Sequence, residues 1–265
     1  MVDQPSRIRF DVPQPARVWN YWMGGSDNYP IDREVGDATA ALCPDFITIA
    51  KQSRQFLIRT VRHLAAEAGI RQFLDIGTGL PTMQNTHEVA QSVAPESRVV
   101  YVDNDPMVLA HARALLTNTT PEGVTTYVEA DYRDADAIVA DARNVLNFTK
   151  PIAVMFMGVL GHTESFDEVR SIVARVVGAV PPGSYLLLWD GTDTSEAARQ
   201  AAAKQAEMGF PYYQRSPERL ARFFEGLELV DPGLVSITRW RPDPVEVGNV
   251  ETVDAYGALA RVPVR

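Results

Sequence analysis

Three aspartates and two glycines set the chemistry open to this chain. Asp75-Ile-Gly77-Thr78-Gly79 closes one apolar run, and Asp103-Asn104-Asp105 closes a second, Arg98-Val-Val-Tyr-Val102. Glycines allow a ligand close to the backbone and accept positive φ, while a carboxylate at a strand end can accept hydrogen bonds from ribose hydroxyls. An apolar run, a glycine turn, a helix and a second run ending in an acid form the first half of a nucleoside-binding βαβ unit. The third aspartate lies in Glu129-Ala-Asp131-Tyr132. There a carboxylate beside an aromatic ring can accept from an exocyclic amine while the ring or backbone lies against the base. Gly77 and Gly79 alone could be an ordinary strand-to-helix turn; three aspartates in register at successive strand ends favour ligand binding.

The turn departs from a dinucleotide fingerprint. Gly77-Thr-Gly79-Leu-Pro81-Thr82 lacks the third glycine of G-x-G-x-x-G, and Pro81 has no amide to offer a phosphate. Asn85-Thr-His-Glu88 reads as a capping box, so the helix starts late and leaves a loop from Gly77 to Gln84. Asp75 would repel a pyrophosphate and attract a ligand carrying an ammonium and a sulfonium. These features favour S-adenosylmethionine over NAD. Asp105-Pro106 caps the following helix, leaving Asp103 and Asn104 for the ribose end.

Methyl transfer from a sulfonium is an in-line displacement that rests on alignment and needs a base only for a protonated nucleophile. His162, after the fourth predicted strand, is the general-base candidate, with a structural histidine as the plain alternative. Met157-Gly158 at that strand end faces the same crevice, or is simply a core methionine and a turn glycine. His63, His87 and His111 lack paired ligand spacing, so no metal site is expected. Tyr21-Trp-Met-Gly24-Gly25-Ser-Asp27-Asn28-Tyr29 combines a glycine hinge with polar groups that packing does not require. It is expected to form a lid and one wall of an acceptor pocket, although Trp19, Trp22 and Tyr29 could merely plug a helix onto the core.

The elements that must position these residues follow from periodicity. Residues 1 to about 15, with Pro5, Pro13 and Pro15, read as a flexible arm. Ala16 to Gly69 reads as helices, with Phe46, Ile49, Ala50, Leu57, Val61 and Leu64 at helical spacing. Strands are predicted at Gln72–Ile76, Arg98–Asp103, Thr125–Glu129, Ile152–Met157 and Tyr185–Trp189. Helices are predicted at about Asn85–Val93, Pro106–Leu116, Ala135–Leu146 and Ser165–Val180, with another after Asp193-Thr-Ser-Glu196 and one from Ser216-Pro217. This alternation implies a parallel sheet with right-handed crossovers. Leu227–Val230 and Leu234–Trp240, separated by Asp231-Pro232-Gly233, read as an antiparallel hairpin. The expected division is 1–69, arm and helical cap or lid, and 70–265, the nucleoside-binding domain, in one compact unit.

Asp75-Ile-Gly77-Thr-Gly79 resembles motif I of class I S-adenosylmethionine-dependent methyltransferases, Asp103 their ribose-holding acid, and Glu129-Ala-Asp131-Tyr132 their adenine-contacting turn. The likeness is closer to a bacterial group of uncharacterised S-adenosyl methyltransferases, formerly a domain of unknown function. Arg17-Val-Trp-Asn20-Tyr21-Trp-Met-Gly24-Gly25-Ser-Asp27-Asn28, Leu74 to Thr82 and Trp189-Asp-Gly191 carry it, over nearly the whole chain. The resemblance implies an α/β fold with a Rossmann-like seven-stranded sheet, parallel with a C-terminal antiparallel hairpin, helices on both faces and a helical N-terminal extension. It implies S-adenosyl-L-methionine as cofactor and no particular acceptor.

Composition sets limits independently. A chain of 265 residues with 46% hydrophobic content can form one large domain. A net charge of −9 and scattered basic residues argue against duplex nucleic acid, whose phosphates need clustered Lys and Arg. The fourth strand also lacks the Asn/Asp-Pro-Pro-aromatic run that DNA amino-methyltransferases resemble in common. Cys43 is the single cysteine, and no apolar run is long enough to span a bilayer, so a cytoplasmic protein is expected. The expected partner is a small-molecule substrate, with no nucleic acid and no membrane; a homodimer is left open. An NAD-dependent oxidoreductase and a non-catalytic S-adenosylmethionine-binding module are the alternatives.

Overall fold

The computed structural model describes residues 8–81, 84–115, 117–243 and 251–264. Five parallel strands form the centre: β1 (Gln72–Ile76), β2 (Arg98–Asp103), β3 (Val124–Glu129), β4 (Ala153–Met157) and β5 (Tyr185–Gly191). Their order is β3-β2-β1-β4-β5. The chain therefore runs outward from β1 to β3 and then returns to β4, and the crevice at the carboxyl ends opens at this reversal between β1 and β4.

The crossovers are α4 (Thr86–Val93), α5 (Pro106–Leu115), α6 (Ala135–Ala142) and α7 (Phe166–Ala179). The predicted late start of α4 is observed, with Asn85 at its N-cap and its N–H donating to Glu88 Oε2 at 2.6 Å. Thr82 and Leu116 lie outside the described residues. Alternate residues of each strand face opposite layers. Leu74, Val100, Val154 and Leu186 pack with Ile138 of α6 and Val169 and Ile172 of α7. Phe73, Val99, Met155 and Leu187 pack with Val89 of α4 and with α3 (Asp45–Ala66), through Phe56, Leu57, Val61 and Leu64.

Two further helices precede α3: α1 (Pro15–Trp22) and α2 (Pro30–Leu42). Val18 and Trp22 of α1, Val35 of α2 and Phe46 of α3 share a cluster with Ala201 of α8 (Glu196–Glu207). The helical extension thus packs on both the sheet layer and α8. Residues 1–7 of the predicted arm lie outside the described residues. Among the described residues no helix is long and apolar enough to cross a membrane.

The sheet has eight strands, not the expected seven. After α9 (Pro217–Ala221) come β6 (Glu228–Leu229), β7 (Val235–Ser236) and β8 (Ala255–Arg261). The segments expected to pair as a hairpin do not pair with each other. Each instead lies antiparallel to β8, Leu229 opposite Ala260 and Val235 opposite Gly257, and β8 runs antiparallel to β5. Periodicity misses β8 because Ala255-Tyr-Gly-Ala-Leu-Ala-Arg261 is rich in alanine and glycine, which are depleted in strands. Packing requires that composition: a Cβ on Gly257 would lie 2.7 Å from Trp189 Cβ and 2.9 Å from Phe56 Cζ.

A buried ion pair sets the angle of α1. Arg17 Nε donates to Asp32 Oδ2 at 2.7 Å, with both side chains buried. Arg17 also donates to the carbonyls of Arg9 and Val12, while Asp32 accepts from the N–H groups of Gln14 and Tyr29. Every charge here has hydrogen-bond partners, so removing one member strands the other. Asp32→Ala is expected to destabilise the protein by about 3 kcal/mol or more, with Arg17→Met/Asp32→Leu recovering part of the loss in urea unfolding. A loss well under 1 kcal/mol for Asp32→Ala would contradict this role.

Candidate functional site

A cavity of about 340 Å³ opens where β1, β2, β4 and β5 end, walled by α1, α3 and the chain after α8. That volume lies in the range of small-ligand and cofactor pockets. The glycine loop after β1 forms one edge. The Gly77 N–H donates to the Val102 carbonyl at 2.8 Å. Gly77 has φ +73° and Gly79 φ +70°, a region that L side chains avoid. Their surroundings differ. A Cβ on Gly77 would lie 2.5 Å from Val159, whereas one on Gly79 would meet nothing within 4 Å. Gly77 is thus dictated by packing and Gly79 by backbone conformation alone, with open space beside it.

Asp103 ties this loop to β2. Its Oδ2 accepts from the Gly79 N–H and its Oδ1 from the Asp105 N–H, both at 2.9 Å. As expected, Asp105 caps α5, accepting from Met107 N–H at 2.7 Å. Asp103 is therefore not wholly free, but each oxygen keeps acceptor capacity and the residue lines the cavity. Burial raises its pKa. Asp75 lies deeper, its Oδ2 accepting from Thr86 Oγ1 at 2.7 Å, and burial raises its pKa to about 6. The Thr78 hydroxyl donates to the Asp75 carbonyl at 3.1 Å.

Tyr132 after β3 and Asn104 after β2 line the cavity, and Asp131 does not. Asp131 is occupied by Asn104 Nδ2 at 3.3 Å and Arg133 Nη1 at 3.2 Å. The Tyr132 hydroxyl bonds to Thr163 Oγ1, which holds its ring. At the β4 end, Met157, Gly158 and His162 line the cavity. Gly158 has φ +75°, and a Cβ there would meet Trp189 at 2.5 Å. His162 ends a 3₁₀ turn, Leu160–His162, with its ring edge-on to Tyr212 and Phe210 at centroid distances of 5.0 and 5.8 Å. Burial lowers its pKa to about 4.

The expected lid sits elsewhere. Tyr21, Gly24, Gly25, Asp27, Asn28 and Tyr29 are not among the residues lining the cavity; Ala16, Trp19, Trp22 and Met23 provide that wall. Asn20 Oδ1 accepts from the Asp27 N–H and from Asn28 Nδ2, each at 3.0 Å, and a Cβ on Gly25 would strike Asn20. Tyr21 donates to Asp37 Oδ1 at 2.7 Å, and the Tyr29 ring lies beneath the Arg17 guanidinium. In this structure the Gly24-Gly25 turn is fixed by Asn20 rather than free to hinge. Trp19 meets Trp189 at 5.6 Å and Trp22 meets Phe46 at 5.3 Å between ring centroids, completing an aromatic wall.

Three features escaped sequence reading. Buried Asp190 accepts from the Tyr212 hydroxyl and pairs with Arg215 at 3.4 Å, while Arg215 Nη2 donates to the Thr163 carbonyl at 2.5 Å. This network locks the His162 turn to β5; burial raises the Asp190 pKa to about 6 against the pull of Arg215. Trp189-Asp-Gly191 was the only sequence signal for it. Gln205 of α8 is buried on the cavity wall, and among the described residues its Oε1 has no hydrogen-bond partner. Arg54 of α3 also lines the cavity, and among the described residues it makes no hydrogen bond or ion pair. Nothing in local sequence marks a missing partner. Among the described residues no group of three or more His, Cys, Asp or Glu side chains could hold a metal ion.

A family model described as S-adenosyl methyltransferase matches residues 1–263. A DUF574 family protein of Streptomyces avermitilis shares 43% identity over 96% of this chain and 99% of its own, with a TM-score of 0.91. A candidate methyltransferase of Thermobifida fusca shares 41% identity over the full length of both chains, TM-score 0.90. An O-methyltransferase family protein of Burkholderia thailandensis, 15% identical over 88% of this chain and 60% of its own with TM-score 0.53, shares the fold. No curated protein matches the chain significantly.

Two stability tests probe the site without a ligand. His162 at about 4 lies below its unfolded value near 6.5. The unfolded state then takes up that proton first, and stability is lost as pH falls from about 6.5 toward 4. Asp75 and Asp190, raised to about 6, act with the opposite sign, since the folded state takes their protons first between about pH 6 and 4. Comparing His162→Gln with wild type isolates the histidine: the variant should gain about 2 kcal/mol relative to wild type between pH 7 and pH 4.5 in urea unfolding. An equal difference at both pH values would show an ordinary imidazole. Gln205→Met should raise stability by about 1 kcal/mol, because it removes a buried amide oxygen that has no partner among the described residues; a loss would show that the oxygen is bonded within the fold.

Proposed function

The chain belongs to the S-adenosyl methyltransferase family, and we propose that it moves the methyl group of S-adenosylmethionine to a small-molecule acceptor in the aromatic half of its cavity. One observation carries the reading: a single cavity has two chemically distinct halves. Toward β1 and β2 it presents Asp75, Asp103 and the open space over Gly79; toward β5 and α8 it presents Trp19, Trp22, Phe46, Trp189, Phe210 and Tyr212. The first half suits a charged nucleoside and the second an apolar or planar molecule.

The residues present fit the cofactor. Gly79 leaves a cradle that a side chain would fill. Asp103 holds unused lone pairs for ribose hydroxyls, and Asn104 flanks it. Tyr132, clamped by Thr163 and with the Arg133 guanidinium over its ring, offers an edge or the remaining face to the base. Asp75, Gly77 and Thr78 shape the methionine end, and Met157 and Gly158 border the passage to the aromatic half. When bound, S-adenosylmethionine supplies an electrophilic methyl on a sulfonium for in-line displacement.

The chain's own part in the reaction is alignment. The aromatic wall excludes water and fixes a flat acceptor, and Gln205 and His162 supply hydrogen-bonding groups within it. At neutral pH the His162 ring is neutral and can accept a hydrogen bond. With a pKa of about 4 it is a weak base: taking a proton from a phenol of pKa near 10 would cost roughly 8 kcal/mol before any ion-pair stabilisation. Orientation is therefore the role we assign to His162, with alignment supplying the acceleration. The net charge of −9 argues against a nucleic-acid acceptor. The dinucleotide alternative gains no support from the family match.

The test has two arms. Asp103→Asn keeps the side chain's shape and should weaken S-adenosylhomocysteine binding by about 10- to 100-fold in calorimetry, as loss of charged hydrogen bonds requires; unchanged affinity would remove Asp103 from the ribose site. Mass spectrometry should detect S-adenosylhomocysteine released from S-adenosylmethionine in the presence of at least one class among phenols, indoles and aromatic amines. Tight nucleoside binding with no transfer to any of them would favour a non-catalytic binding module.

A further inference from the structure

We infer that Gln205 is a specificity-determining residue that selects, as methyl acceptor, a flat uncharged molecule bringing its own hydrogen-bond donor, a hydroxyl or a ring N–H. The inference rests on the reading that the aromatic half of the cavity takes the acceptor.

The argument begins with how this fold treats its buried glutamines. Gln72 accepts from the Asn147 N–H at 2.6 Å and donates to the Asn147 carbonyl at 3.0 Å. Gln91 accepts from the Thr119 N–H at 2.9 Å and donates to the Ser97 carbonyl at 3.2 Å. Neither lines the cavity. Gln205, in the last turn of α8, is 1% exposed and does line it. Among the described residues no protein group bonds its side-chain amide. A buried acceptor left open in this way is destabilising, and methionine would fill a similar volume without that penalty. Polar groups held at a cost to stability are characteristic of binding sites, and here the open amide is the one that borders the cavity.

The adjoining chain supplies a second acceptor. The Phe210 N–H donates to the Gln205 carbonyl at 2.8 Å, and the Tyr213 N–H to the Gly161 carbonyl at 2.7 Å, so residues 210–213 join the end of α8 to the His162 turn. The His162 ring bonds the backbone of Pro211. Proline has no N–H, so the ring nitrogen must be the donor and the carbonyl the acceptor. In the neutral ring the other nitrogen is then an acceptor. Gln205 Oε1 and this nitrogen thus accompany the rings of Phe210 and Tyr212, and a ligand that meets them needs donors. Neither carries a formal charge. A hydroxyl or ring N–H matches them, whereas a desolvated ammonium would find no counter-charge there. Asp254, the carboxylate just before β8 on the cavity wall, is engaged by the hydroxyls of Thr194 and Ser195. A plain alternative is that the Gln205 amide is satisfied by an internal water. That role would treat flat ligands alike, with or without a donor.

Full-length protein loaded with S-adenosylhomocysteine should be titrated, with ligand-observed NMR, against two matched pairs: indole and benzofuran, and 2-naphthol and naphthalene. Within each pair the ring system is the same and only the first member carries a donor. Wild type is expected to bind the donor-bearing member about 10-fold more tightly in at least one pair. Gln205→Met should reduce that preference to within about twofold and leave benzofuran and naphthalene binding as well as before or better. Thermal unfolding reports whether the variant folds, and Gln205→Leu serves if Gln205→Met does not. A preference that survives in the variant would overturn the assignment to Gln205, and equal or reversed affinities within both pairs in wild type would overturn the donor requirement. Binding of none of the four would instead overturn the reading that this half takes a flat acceptor.

Discussion

The seat of Trp189 at the end of β5 is the constraint on which the site depends. The indole occupies space that Gly158 leaves just after β4, and Gly257 of β8 leaves room for the Trp189 Cβ and the Phe56 ring, so a Cβ at either glycine would collide with Trp189. Its other side meets Trp19, so α1 is placed by the same ring that floors the cavity. Gly158 in turn must adopt positive φ, which turns the chain after β4 into the Leu160–His162 segment. One large side chain therefore links β5 and β8 to the N-terminal wall and the exit from β4. The reversal of strand order between β1 and β4 then makes that place a crevice.

Around this seat the fold distributes its buried charge in two ways. Arg17–Asp32 and Arg215–Asp190 are closed networks, each ion having hydrogen-bond partners, and they fix α1 and the His162 turn. Arg54, Gln205 and the remaining lone pairs of Asp75 and Asp103 are not closed, and all four residues border the cavity. An unsatisfied buried group costs about 1–3 kcal/mol, so such groups gathered in one place mark where a ligand completes the structure. The aromatic half is built of rings against rings, with His162 and Gln205 set among them.

The features legible in the sequence are local ones. The glycine turn, the late cap at Asn85 and the acids at strand ends depend on residues close along the chain, and the structure has them at the carboxyl edge of the sheet. β8 was not legible, because tertiary packing against Trp189 and Phe56 demanded glycine and alanine where strand propensity asks for bulk. The Tyr21–Tyr29 segment misled for a related reason. Gly24-Gly25 reads as a hinge, yet Gly25 is glycine because Asn20 lies against it. The helical spacing of Trp19 and Trp22 was the better pointer to the wall. Arg54 and Gln205 could not be found this way, since a missing partner is a property of the fold and not of the sequence around a residue.

The most direct measurement is a crystal structure of the protein grown with S-adenosylhomocysteine. The ligand's ribose is expected on Asp103, its amino-acid end beside Asp75, and its sulfur turned toward open volume bounded by Trp19, Trp189, Phe210 and Tyr212. A nucleoside bound outside the cavity, or a sulfur facing closed packing with no volume beside it, would contradict transfer to a small acceptor in the aromatic half.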